Sequence, residues 1–83
     1  MQITVKYVAA LRDRMGRPGE TLDLPEGAAD SEAVIARLRE TDTAAEALAH
    51  PSVRLILNDT IVPRPAVLAD GDILAFCPPF TGG

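Results

Sequence analysis

Two apolar, β-branched runs stand at opposite ends of the chain, and their separation restricts the fold more than any other feature. Near the N-terminus Ile3 and Val5 point one way and Thr4 and Lys6 the other, with Tyr7 and Val8 closing the run. Near the C-terminus stands Ile73-Leu74-Ala75-Phe76-Cys77. Period-2 alternation with this side-chain content predicts half-buried strands. They are the most hydrophobic strands of the chain and thus the natural central pair of a sheet. Because helical segments lie between them, the connection is a crossover and the pair runs parallel. In a chain of 83 residues that leaves room for one domain with one compact core.

The intervening sequence supplies the rest of the sheet and its cover. Ala9 to Met15 changes to helix formers, with Leu11 and Met15 four apart on one face and Gly16 placed to end the helix. Arg17-Pro18-Gly19 is turn chemistry, and Glu20 to Leu24 alternates with Leu22 and Leu24 inward. Asp30 is the expected N-cap of the main helix, whose inner face carries Val34, Ile35 and Leu38, with Arg37, Arg39 and Glu40 outside. Thr43 and Glu46 fit a capping box for a second short helix through Ala49, which Pro51 stops. Val53 to Leu57 reads as a strand, Asn58-Asp59 as a tight turn and Thr60 to Val62 as the return strand. Asp70-Gly71-Asp72 turns the chain into the last strand. The order predicts an α+β roll, a mixed sheet with central parallel first and last strands packed on a main helix.

Charge and cysteine usage exclude several functions. Twelve acidic against eight basic side chains leave a net charge of −4, and the basic residues are scattered. No nucleic-acid or anionic-membrane partner is expected. A single cysteine excludes an internal disulfide, and a single histidine with no cysteine pair excludes a His- or Cys-based metal site. Met1 to Lys6 lacks the features of a signal peptide, and no apolar run approaches the ~20 residues of a membrane span. A cytoplasmic location is the expectation.

The last residues, Pro78-Pro79-Phe80-Thr81-Gly82-Gly83, stand apart. Two prolines remove two backbone donors and end the ladder, which predicts a domain over residues 1–77 and a tail over 78–83. Gly82-Gly83 has no Cβ atoms and suits passage through a narrow channel, with an unshielded carboxyl group presented to another protein's active site. A frayed end is the plainer alternative.

Three segments carry a family resemblance: Asn58 to Val62; Leu68-Ala69-Asp70-Gly71-Asp72; and Ala75 to Gly83 with its Pro-Pro-Phe-Thr-Gly-Gly end. Together with Tyr7-Val8-Ala9-Ala10-Leu11-Arg12-Asp13, they resemble the small subunit of molybdopterin synthase, the MoaD-like sulfur carriers. The resemblance spans the chain and implies the ubiquitin-like β-grasp fold. It further implies that an E1-like adenylating enzyme consumes ATP to activate Gly83, which then becomes a thiocarboxylate (a 1-thioglycine). The carrier would bind no cofactor of its own. Its sulfur would go to cyclic pyranopterin monophosphate inside a heterotetramer with the large subunit, where the catalytic residues are expected, so this chain is read as the sulfur-donating rather than the catalytic subunit.

On that reading Gly83 is the reacting terminus, and Pro78, Pro79, Phe80, Thr81 and Gly82 are the tail that delivers it. Val8, Ile61, Cys77 and Phe80 form the expected partner-docking patch, since strand alternation turns Ile73, Ala75 and Cys77 away from the core-facing Leu74 and Phe76. Cys77 stands where the family often has a bulkier apolar residue, and Val8 where Phe is common. Related carriers serve thiazole, cysteine or tRNA thiolation pathways, and others modify lysines; thiazole carriers are usually shorter and lack the Pro-Pro-Phe block. The remaining polar residues are read as structural. Cys77 has no basic neighbour in sequence to activate a thiolate. His50 is expected on helix-end carbonyls, Asp70 and Asp72 in a turn rather than a calcium loop, and Arg12 and Arg14 on an exposed helix face.

Overall fold

The computed structural model describes residues 1–25, 27 and 29–78. In chain order it contains β1 (Gln2–Tyr7), α1 (Ala10–Met15), β2 (Gly19–Asp23), α2 (Ser31–Arg39), a 3-10 helix (Thr43–Ala49), β3 (Arg54–Leu57), β4 (Thr60–Val62) and β5 (Ile73–Cys77). Among the described residues the strands form one mixed sheet of order β2-β1-β5-β3-β4. β1 and β5 run parallel, with Val5 beside Leu74 and Tyr7 beside Phe76, and the other pairs are antiparallel. The parallel pair inferred from the two ends of the chain is therefore present, with β5 at the centre.

Alternation is expressed as burial. Ile3, Val5 and Tyr7 of β1, Leu55 of β3, and Leu74 and Phe76 of β5 are buried on one face. There they meet Leu11 and Met15 of α1, Val34, Ile35 and Leu38 of α2, and Ala45 and Leu48 of the 3-10 helix. Phe76 has no exposed surface, and its ring stacks on that of Tyr7 at 6.4 Å between centroids.

Local chemistry sets the element ends. The Asp30 carboxylate accepts the Ala33 N–H at 2.9 Å and so starts α2. The expected Thr43 cap is corrected: Asp42 is the N-cap of the 3-10 helix and accepts the Ala44 N–H at 2.9 Å. Asp is as good a cap as Thr, and here Asp42 also meets a distant arginine. Asn58 and Asp59 both take positive φ, 49° and 70°, the backbone a two-residue hairpin turn requires. Asp70 accepts the Gln2 N–H, and Asp72 accepts the Ala69 N–H and the Asn58 side-chain amide. Asp72 thus holds the turn itself, and Asp70 ties the turn to β1.

The expected role of His50 is corrected. Its Nδ1 accepts the Ser52 N–H at 3.1 Å and lies 2.5 Å from the Ser52 hydroxyl. The carbonyls at the end of the 3-10 helix go to Arg64, whose Nη1 donates to Leu48 and His50 oxygens at 3.1 and 2.9 Å.

A second arginine ties the hairpin to the helical layer. Arg17 donates to Glu20 at 2.5 Å and to Asp42 at 2.9 Å, with its guanidinium 5.6 Å from the centre of the Tyr7 ring. Tyr7 donates its hydroxyl to the same Glu20 carboxylate at 2.7 Å. Burial, reinforced by that hydrogen bond, lifts the phenol well above its usual range. Hydrogen bonds from Arg17 and then from the Ala44 N–H hold Asp42 below the usual carboxylate range.

Candidate functional site: the open sheet face at the end of β5

The face of the sheet opposite α2 carries no helix among the described residues. Register places its side chains directly. Ile61 of β4 lies opposite Ile56 of β3, Ile56 opposite Ala75 of β5, and Ala75 beside Lys6 of β1. One step nearer the C-terminus Cys77 lies opposite Arg54, and the Val8 N–H donates to the Phe76 carbonyl at 3.1 Å. An apolar strip thus runs from β4 across to the end of β5. It surfaces at Ile61, 68% exposed, at Ile73, 41%, and at Val8, 40%.

Of the expected docking residues, Val8 and Cys77 both lie at the end of β5, while Ile61 lies two strands away, a lateral separation of about 10 Å at the usual strand spacing. Ile56 is the residue that joins them, and the sequence does not assign its face. Leu55 and Ile56 are both apolar, so composition alone could not tell the core side from the open side. The register decides it: Leu55 pairs with buried Phe76, which leaves Ile56 on the open side.

The backbone turns sharply just beyond this strip. Ala9 takes φ 53° and ψ −124°, a conformation L residues rarely adopt, and leads at once into α1. Positive φ at a non-glycine residue stores about 1–3 kcal/mol of strain. That corner ends β1 beside the exit of β5 and leaves Val8 at the surface.

Cys77 is half-buried, and desolvation pushes its thiol pKa up. A raised thiol stays protonated at neutral pH and is a poor nucleophile. Even with Arg54 opposite, Cys77 therefore fits its role as a small hydrophobe. Pro78, the last described residue of the tail, borders a groove of about 370 Å³ with Ala10, Leu11, Ala47 and Val53 on its walls and Arg14 and His50 at its rim. The readings made for Pro79, Phe80, Thr81, Gly82 and Gly83 lie outside the described residues. Among the described residues no group of three or more His, Cys, Asp or Glu side chains is placed to hold a metal ion. No described helix is long and apolar enough to cross a membrane.

Several solved structures share this architecture. SAMP1 from Haloferax volcanii superposes with a TM-score of 0.82 at 22% identity, with all of both chains covered. A candidate molybdopterin converting factor, subunit 1, from Pyrococcus furiosus gives 0.74 at 26% identity over 95% of this chain and 98% of that one. The complex of subunits 1 and 2 of the molybdopterin-converting factor from Helicobacter pylori 26695 contains a chain that matches at 0.68 and 20% identity, fully covered on both sides. No curated protein matches the chain in sequence. The ThiS family model, however, matches residues 5–83. Together with the β-grasp sheet of the described residues, this match makes the chain a member of the ThiS family, a MoaD-like ubiquitin-like sulfur carrier.

Proposed function

We propose that this chain is the sulfur-donating small subunit of a molybdopterin synthase, with residues 78–83 as the delivering tail. The Gly83 carboxylate attacks the α-phosphorus of ATP on an adenylating enzyme, and pyrophosphate leaves. A sulfide equivalent then attacks the acyl-adenylate; AMP leaves and Gly83 carries a thiocarboxylate. Within the large subunit that sulfur attacks cyclic pyranopterin monophosphate; water then hydrolyses the acyl–sulfur bond, Gly83 leaves as a carboxylate, and the sulfur becomes one of the two in the dithiolene of molybdopterin.

The observation that carries this reading is the family match, which continues through the tail to Gly83. Two features support it. The central strand ends at Cys77, immediately before two prolines, neither of which has an N–H to donate to a ladder. The open face around that exit is apolar, as a docking surface needs to be. The likeness to molybdopterin converting factor subunits favours this pathway over thiazole, cysteine or tRNA thiolation. The likeness to SAMP1, a chain named as a modifier, favours the second reading, attachment through Gly83 to lysines.

The test is intact-protein mass spectrometry after production alongside the adenylating enzyme of the same genome. One oxygen of the C-terminal fragment is expected to be exchanged for sulfur. Cys77→Ser should retain that exchange, and a variant extended by one residue beyond Gly83 should lose it. Sulfur mapped to Cys77 would refute the mechanism. Loaded carrier that yields molybdopterin with the large subunit and cyclic pyranopterin monophosphate supports the assigned pathway. Loaded carrier that yields none, or that is recovered joined to lysines, moves the chain to another carrier role or to the second reading.

A further inference from the structure

The open face carries two cations where an apolar strip would otherwise be unbroken. Lys6 lies beside Ala75 in the β1–β5 register, and Arg54 opposite Cys77 in the β3–β5 register. They therefore share the open face and flank the last half of β5 from either side. Both are exposed, and neither forms an ion pair with a described residue. Arg17, Arg37 and Arg64 are each paired, and Arg12, Arg14 and Arg39 are exposed on the helices and unpaired among the described residues, so Lys6 and Arg54 are set apart by their place on the open sheet face. The carboxylates of Asp59, Asp70 and Asp72 stand in the turns at the opposite end of β5. Along β5, then, these cations stand toward its C-terminal half and these carboxylates at its start.

We propose that Lys6 and Arg54 form a cationic collar that selects a partner surface with an apolar centre flanked by carboxylates. This rests on the proposed function and takes the open face as the surface that meets the adenylating enzyme. In free solution water solvates both ammonium and guanidinium groups at no cost to the fold. A neutral apolar surface pressed over the strip would strip that water and leave two unpaired charges, which is expensive. A basic surface would add repulsion. Carboxylates placed opposite remove the penalty and set the register of docking, in which β5 points its tail at the active site.

The collar also offsets the carrier's own net charge. Two acidic proteins repel at long range, but that repulsion is screened over about 8 Å at physiological salt. A pair of opposite charges at contact is screened less. The expected signature is association that weakens as salt rises even though the carrier is acidic overall.

The experiment follows ATP–pyrophosphate exchange by the adenylating enzyme of the same genome, as a function of carrier concentration and of salt. Lys6→Glu and Arg54→Glu should each raise the KM for the carrier about tenfold at ~0.1 M salt and leave kcat unchanged, with the gap closing as salt rises. Arg39→Glu makes the same charge change on an exposed part of α2 and should shift KM less than about twofold, as expected of a charge away from the interface. Ile61→Asp should raise KM at every salt concentration. Far-UV circular dichroism checks that each variant is folded. A raised KM for Ile61→Asp with no change for Lys6→Glu and Arg54→Glu overturns the collar and leaves the docking face standing. No change in any of the three overturns the docking face itself. A lower KM for the charge reversals, or wild-type self-association that these reversals abolish, assigns the cations to a basic partner or to a second copy and likewise overturns the proposal.

Discussion

Phe76→Ala is the substitution that most directly tests how the tail is anchored. Phe76 is fully buried in the central strand, beside Tyr7 and opposite Leu55, and immediately precedes Cys77. Truncating a buried Phe to Ala costs about 3–5 kcal/mol, from lost transfer energy and the cavity left behind. The stacked Tyr7 ring puts this site toward the upper part of that range. A domain of this length has a total stability of about 4–12 kcal/mol, so the alanine variant loses at least about a quarter of it and unfolds if the wild type lies at the low end. Phe76→Leu keeps most of the volume and should cost about 1–1.5 kcal/mol, which lowers Tm by about 4–12 °C in a domain this small. With no Trp in the chain, urea titration followed by far-UV circular dichroism is the suitable assay. The midpoint should fall with the slope unchanged. Sulfur loading of the leucine variant should equal wild type where both are folded. A loss below about 1 kcal/mol for Phe76→Ala would show that β5 is not locked into the core as described, against the range expected for a fully buried ring.

Two further substitutions probe local features. Ala9→Gly relieves the positive φ at the β1–α1 corner; the strain released exceeds the extra entropy of an unfolded glycine, so stability should rise by about 1 kcal/mol in urea titration, and a loss would refute the strain. Arg17→Met removes the partner that depresses Asp42. A carboxyl lowered in the folded state stabilises above its ordinary pKa near ~3.9 and loses that contribution as pH falls through the folded value. The Tm difference between wild type and Arg17→Met should therefore narrow below about pH 4, and a gap that stays constant down to acid unfolding would remove Asp42 from the argument.

The sheet was legible because its signals are short-range and repeat. A strand with one wet face shows period 2, and Ile3-Val5-Tyr7 and Leu74-Phe76 display it in full. The same holds for Asp30 as a cap and for Asn58-Asp59 as a turn, where one or two residues suffice to choose the backbone. The errors fall where two residues of equal local merit compete or where a partner is distant. Thr43 and Asp42 are both good caps, and contact with Arg17, 25 residues away, accompanies the choice of Asp42. His50 and Arg64 are both able to serve helix-end carbonyls, and the loop after β4 delivers Arg64 from 14 and 16 residues away.

The site divides along the same line. The chemistry of the tail, two prolines followed by glycines without Cβ atoms, is a property of residue types and is read without coordinates. So is the sign of the net charge. Which face of β3 is wet, and therefore that Ile56 joins Ile61 to Cys77, depends on register against β5. The placement of Lys6 and Arg54 on either side of one strand, 48 residues apart in sequence, depends on it too. Hydrophobic alternation assigns each residue of a strand to one of two faces. Only the pairing of strands brings residues from distant segments together on the same face, because that pairing is made by backbone hydrogen bonds that carry no side-chain identity.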